Sequence, residues 1–360
     1  MSITRLYRRR QFLSRLAVFP SALWLPAAGA AQGNELEGID TSPSSLGSLI
    51  TPNSGFFVRN HFQAPVLSLA DWKLTMGGRL RRPREIRYPE IQQLPKRLLP
   101  VTVECAGNGV GGGAVGTSTW AGVPLADLLS AAGLDPGVRF IRLMGGDRGK
   151  VEGASQPIPF ARSISIEKAL HPDTLLAFEM NGAPLPTEHG YPLRAIVPGW
   201  YGMDSVKWLV SIEALDHQDL SHFMSERYVS SQLLAVGTKR QPISRMPVKS
   251  QITVPREGDR LPLQLTVIRG TAWAGDSRVS KVEVSVNEGK DWRVAELEGT
   301  PSPYAWVSWN CLWTPLAPGR YTIVVRAADA EGRTQPESRD RLRFDQYENN
   351  WYHAVRCEVL

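Results

Sequence analysis

Short apolar runs separated by glycine, proline and polar clusters recur along this chain, a texture of strands and loops more than of long helices. Residues 72–76, 101–105 and 140–144 read as strands. Residues 124–129 read as a short helix that stops before Gly133, a residue able to adopt the left-handed turn common after helices. Residues 164–169 look helical, whereas 174–179, 192–198 and 206–215 look extended. The stretch 51–235 is therefore read as a mixed α+β domain with long loops. Gly237, Pro242 and Pro247 mark a linker over 236–247. Beyond it, 250–254, 261–269, 279–287, 292–296, 305–312, 319–328 and 352–359 read as short strands, with turns such as Glu288-Gly289 and Pro318-Gly319 between them. In Val282-Glu283-Val284-Ser285-Val286 every second residue is apolar, which gives one buried and one wet face. The pattern over 248–360 predicts an immunoglobulin-like β-sandwich.

The chain opens differently. Arg5, Arg8, Arg9, Arg10 and Arg15 stand without an acid among residues 1–30, an apolar run follows over 16–25, and Ala28-Gly29-Ala30 closes the segment. That order reads as a removed export signal, and the run is too short for a membrane span. Within it, Arg9-Arg10-Gln11-Phe12-Leu13 fits a twin-arginine signal; the plainer alternative is a basic tail. Twin-arginine export commonly carries proteins already folded around a cofactor, so a periplasmic location and a cofactor are expected together. Residues 31–50, small and polar, read as a flexible surface leader. The signal accounts for five units of the formal net charge of +6 and leaves +1. A near-neutral remainder without zinc-finger spacing or a basic helix argues against nucleic-acid binding. No later run is long and apolar enough for a membrane anchor. Three cysteines are an odd number for an oxidising compartment; Cys311 and Cys357 fit either two buried thiols or one disulfide.

Cys105 closes a predicted strand and is followed by Ala106-Gly107-Asn108-Gly109. Glycines at a strand end let backbone approach a ligand closely, and a cysteine thiolate suits a soft or strongly binding metal centre. A lone cysteine there is as readily a small core hydrophobe. The glycine-rich run 107–116 has no P-loop lysine and no dinucleotide fingerprint, which argues against ATP and NAD-type sites. Arg59, Asn60, His61, His189, Arg194, Ser205 and Lys207 form the other polar set. Arginine forks and lysine point charges suit a phosphorylated organic cofactor if the fold gathers them; the alternative is scattered surface charge. Tyr228, in a polar stretch after Ser221-His222-Phe223, reads equally as a packing or a site residue. No Gly-x-Ser-x-Gly elbow of a hydrolase occurs.

The same residues, taken in order, carry a resemblance. Phe56-Phe57-Val58-Arg59-Asn60-His61, Glu104-Cys105-Ala106-Gly107-Asn108 and Trp120-Ala121-Gly122-Val123-Pro124-Leu125 are followed by Ala177-Phe178-Glu179-Met180-Asn181-Gly182 and His189-Gly190-Tyr191-Pro192-Leu193-Arg194. Val197-Pro198-Gly199 and Ser205-Val206-Lys207-Trp208-Leu209 complete the series. Together they resemble the sulfite oxidase family of molybdopterin-dependent oxidoreductases, and within it the haem-free, exported sulfite dehydrogenase subunits of bacteria. The resemblance runs from about residue 51 to the end of the chain. It implies a molybdenum–molybdopterin cofactor with Cys105 as the protein thiolate on the metal. It also implies Arg59 as an active-site arginine and Tyr228 as the tyrosine at the oxygen-transfer position. Asn60, His61, His189, Arg194, Ser205 and Lys207 would then hold the pterin and its phosphate. The implied reaction is oxidation of sulfite or a related sulfur oxyanion, in which the metal does the hard chemistry and the protein supplies position and field. The second domain resembles the family's dimerisation domain, so a homodimer is expected.

The chain also departs from the family pattern. Gly109-Val110-Gly111-Gly112-Gly113 stands where eukaryotic members carry an arginine, and the following insertion with a lysine and a tryptophan is absent. Asn349-Asn350-Trp351 stands where another pocket arginine is expected. Each lost charge-assisted bond weakens dianion binding by about 1.5–3 kcal/mol. The substrate is then weakly bound sulfite, a larger sulfur compound or, in the reductive direction, a sulfoxide-type oxygen donor. No Cys-x-x-Cys-His haem run occurs, so no haem is expected in this chain and electrons pass to an external carrier such as a periplasmic cytochrome c.

Overall fold

The computed structural model describes residues 38–42 and 44–360; the segment read as an export signal, and the leader up to residue 37, lie outside the described residues. The first domain carries two sheets. One orders the strands Arg84–Arg87, Lys73–Gly78, Leu209–Leu215, Phe140–Gly149 and Ile158–Ser165. Lys73–Gly78 runs parallel to Leu209–Leu215, and the other neighbours are antiparallel. Alternation explains its buried face: Leu74, Met76, Ile141 and Leu143 all point into one core. The other sheet orders Arg97–Glu104, Val115–Pro124, Leu175–Met180 and Ala183–Pro184, with Arg194–Ile196 also on Leu175–Met180. Its strand Val115–Pro124 is buried at nearly every position. A Cβ on Gly122 would lie 2.1 Å from Leu176 O, so only glycine lets this strand close on Leu175–Met180 at the register shift beside it. The helix Leu125–Ala132 buries Leu125, Leu128, Leu129 and Ala132, a helical stripe, and ends at Gly133 with φ 72° as the sequence predicts.

Four segments differ from the expectation. Ile164 pairs with Ile141 inside a sheet, so the helix expected over 164–169 shrinks to Ile166–Ala169, capped by the Ser165 hydroxyl, which accepts from Lys168 N–H. The extended stretch expected over 206–215 becomes a strand only at Leu209–Leu215; Trp208 has φ 50°, which turns Lys207 out of the sheet. The leader is anchored in its described part: Ile39 bridges Val58, and the buried Thr41 hydroxyl donates to Val115 O at 2.7 Å. The expected linker contains the strand Thr238–Pro242, paired as a hairpin with Val229–Leu233, and its Ile243 and Met246 sit in the first-domain core. Local composition marked the last two of these as loops; burial against distant residues made them structure.

The second domain has a four-stranded sheet, Lys249–Val254, Thr266–Trp273, Val307–Trp313 and Glu296–Glu298. A five-stranded sheet, Arg260–Leu261, His353–Val359, Gly319–Asp329, Val279–Ser285 and Arg293–Val294, contributes to the same core. Val307, Trp309, Cys311 and Trp313 alternate into that core. Cys311 and Cys357 are separate buried thiols. No helix among the described residues is long and apolar enough to cross a membrane.

Candidate active site

The strand Arg97–Glu104 delivers Cys105 to the start of a tight loop. Cys105 N–H donates to Ala114 O and Asn108 N–H to Cys105 O, both at 2.9 Å. Asn108 closes the loop from inside: its Oδ1 accepts from Ala114 N–H and its Nδ2 donates to Glu104 Oε1, each at 3.0 Å. The loop faces a cavity of about 670 Å³. Arg59, Asn60, His61, Cys105, His189, Arg194, Ser205, Lys207 and Tyr228, all singled out in the sequence, line that cavity.

One wall is built to receive an anion. The Arg194 guanidinium is buried, lies 4.8 Å from the Trp120 ring centre, and donates to His189 O and Ser205 O at 2.9 Å each. It thus ties the two ends of the loop over 189–205 while adding positive field. The Lys207 ammonium sits 4.4 Å over the Trp208 ring and donates to Glu188 O at 2.8 Å and to Asn60 Oδ1. Removal from water, then repulsion by Arg194, pushes Lys207 down to about 7. His189 donates from Nε2 to Asn53 O at 3.1 Å, and burial pushes it down to about 4. Ser205 Oγ accepts from Val197 N–H at 3.0 Å. Sequence reasoning missed Asp147, which is 4% exposed and lines the same cavity. Its Oδ1 has no hydrogen-bond partner among the described residues, and burial raises its carboxyl to about 7. The only local signal was an acid after Gly145-Gly146.

The opposite wall holds His61 and Tyr228, which hydrogen-bond to each other. The His61 ring stacks on Phe160 with centres 5.2 Å apart and planes 13° apart. Burial, then Arg227, push His61 down to about 3, so the imidazole is neutral. Tyr228 stands between the helix His222–Ser225 and the strand Val229–Leu233 with φ 53°. That backbone costs a tyrosine on the order of 1–3 kcal/mol, a strain found most often where a side chain must be aimed. At the rim, Arg59 Nη2 lies 2.5 Å from Asp40 Oδ1, with 37% and 53% of the two side chains exposed. Arg227 and Arg240, neither foreseen, also line the cavity, and Glu226 in the same lining lies 3.8 Å from Arg240. The second domain contributes residues 344–347 to the wall rather than Asn349-Asn350-Trp351. Asn349 instead donates to Asn108 O at 3.3 Å, behind the cysteine loop.

Among the described residues, no group of three or more His, Cys, Asp or Glu side chains is placed to hold a metal ion. A Cβ on Gly107 or Gly109 would meet nothing within 4 Å, so backbone lies open beside Cys105. A thiol that shares a cavity with Arg194 and Lys207 fits a phosphorylated organic cofactor that brings most of its metal's ligands. Fold and pocket therefore define a molybdopterin-binding oxidoreductase: residues 61–223 match the oxidoreductase molybdopterin binding domain and 240–359 the Mo-co oxidoreductase dimerisation domain. The chain belongs to the sulfite oxidase family. It is 30% identical to the sulfite oxidase of Arabidopsis thaliana, over 81% of this chain and 84% of that protein. It is 32% identical to the mitochondrial sulfite oxidase of Drosophila melanogaster over 86% of this chain, and spans only 59% of that relative's length. The sulfane dehydrogenase SoxCD from Paracoccus pantotrophus has a similar structure, with a TM-score of 0.79 and 29% identity over 91% of this chain and 86% of that one.

Proposed function

We propose that this chain is the catalytic subunit of a molybdopterin-dependent sulfite dehydrogenase, which oxidises sulfite or a related sulfur oxyanion and passes the electrons to an external carrier. The observation that carries the reading is Cys105 at a strand end, lining one cavity with Lys207, Arg194 and Asp147. When bound, the molybdenum cofactor supplies oxygen-atom transfer and takes up two electrons. Cys105 is its protein thiolate. His189, Arg194, Ser205, Lys207 and Asn60 would hold the pterin and its phosphate, and the Asp147 carboxyl would offer it an acceptor. In the net reaction, sulfite and water become sulfate, two protons and two electrons. Arg59, with Arg227 and Arg240, draws the anion to the mouth and steadies its charge as the new sulfur–oxygen bond forms. His61 Nε2 and the Tyr228 hydroxyl share one hydrogen bond; in the tautomer that carries its proton on Nε2, the neutral imidazole leaves the phenol proton for a substrate oxygen. The two sheets of the second domain are read as an immunoglobulin-like sandwich that joins two copies. With the export signal read at 1–30, the enzyme works in the periplasm and reduces a cytochrome c.

Asp40 favours a second reading. Its carboxylate on Arg59 offsets the charge that a dianion needs, which suits a less charged substrate, either a sulfoxide reduced at the metal or a sulfane group of the kind in the name of SoxCD. Anaerobic mixing of the metal-loaded protein with sulfite separates the two. Loss of the thiolate-to-molybdenum absorption with sulfate formed is expected. An unchanged spectrum, with dithionite still bleaching the centre, overturns the sulfite assignment and points to the second reading; a protein that never takes up molybdenum overturns both.

A further inference from the structure

Behind the cysteine loop, a buried ion pair crosses from one domain to the other. Lys249, the first residue of the strand Lys249–Val254, places its Nζ 2.7 Å from Glu104 Oε1, and both side chains are 2% exposed. Glu104 is the residue just before Cys105. Its Oε2 accepts from Trp273 Nε1 at 2.8 Å, again from the second domain. The same ammonium donates to Gly109 O at 3.0 Å and Asn108 O at 3.3 Å. One charged group therefore holds both ends of the loop: the side chain before the cysteine and the carbonyls that follow it. Glu348 N–H adds a bond to Ala106 O at 3.3 Å.

Stability alone does not account for such a pair. Burying two charges costs desolvation, and an apolar pair of like size is often as stable or more so. What the ions add is geometry, because three donors on one ammonium meet three fixed acceptors. We propose that Lys249 and Glu104 are positioning residues through which the second domain sets the height of the Cys105 thiolate in the cavity. The second domain is then part of the frame of the metal site as well as an assembly module. The inference rests on the reading of Cys105 as the metal's ligand.

The test uses the full chain, with and without cofactor, as K249M, E104Q and the double variant E104Q/K249M. Each single change strands a buried charge or bond partner, so thermal stability falls. The double change strands no charge and recovers much of it, yet still lacks the bonds to Asn108 and Gly109. Two readouts report on the thiol: the alkylation rate of Cys105 in the cofactor-free protein, followed by peptide mass mapping, and the thiolate-to-molybdenum absorption band. In the double variant Cys105 is expected to react about fivefold faster, the change in open population that one lost hydrogen bond brings, and the band is expected to shift. A double variant with wild-type stability, alkylation rate and band overturns the proposal and leaves the pair a packing feature. If the singles fail to fold, the double carries the test. If wild-type protein takes up no molybdenum, the functional reading fails, and the alkylation arm still decides whether the pair positions Cys105.

Discussion

Lys207 is half-buried in the cavity wall, and removal from water with repulsion by the nearby Arg194 pushes it down to about 7. A phosphate at that wall favours the ammonium, so binding draws a proton onto Lys207 wherever the pH lies above about 7. The empty protein has the lower value and the loaded protein the higher. Affinity is therefore full below pH 7 and falls as pH rises, until the loaded value is passed. Between pH 6 and pH 8 the charged fraction drops from about nine-tenths to about one-tenth, which weakens binding about tenfold, or ~1.4 kcal/mol. Titration calorimetry of a phosphomonoester on the cofactor-free protein, in buffers of unlike ionisation heat, measures both affinity and proton uptake. The ratio of wild-type to K207M affinity cancels the ionisation of the phosphate itself. That ratio is expected to fall about tenfold from pH 6 to pH 8, with more proton uptake in the wild type than in K207M. A flat ratio, or K207M binding as tightly as wild type at pH 6, refutes the placement of Lys207 on the phosphate.

Cys105→Ser should leave the fold and much of the pterin affinity intact and abolish turnover; full activity in that variant would make Cys105 a structural residue. Tyr228→Phe removes the phenol proton offered to the substrate and should lower kcat roughly a hundredfold with little change in KM, whereas an unchanged kcat in a stopped-flow assay removes Tyr228 from the reaction. Asp40→Asn frees Arg59 from an exposed pair worth about 0.2–1 kcal/mol, so KM for sulfite should fall about 1.4- to fivefold at constant kcat; a constant KM shows that the pair does not compete with substrate. His61, His189 and His353 are pushed down to about 3, 4 and 4, chiefly by burial. The unfolded chain binds protons first, near 6.5, so their contribution is full above pH 6.5 and is lost as pH falls toward 4. The urea midpoint should drop between pH 7 and pH 5, and an unchanged midpoint would mean these rings are hydrated.

The sequence by itself determined the local features. Period-two alternation located the strands of the second domain, and the helix stop at Gly133 was legible because it depends only on neighbouring residues. Cys105 and the polar set at 59–61, 189, 194, 205, 207 and 228 were legible by residue type and by their order along the chain. Tertiary structure decided which of them share a cavity, since Tyr228 and His61 are far apart in sequence and meet only when the hairpin at 229–242 folds back. It alone brought in Asp147, Arg227, Arg240 and residues 344–347, whose neighbours carry no pattern pointing to a site. It made a strand of Ile158–Ser165 because Ile164 is buried against Ile141, and it turned Lys207 out of the next strand through Trp208. Lys249 is an unremarked residue at a strand start in the sequence, and its ion pair with Glu104 exists only in the fold. Periodicity reports which face of an element is apolar. It carries no information about which distant donor meets which buried acceptor, and that long-range match of charge and hydrogen bonding is what builds this site.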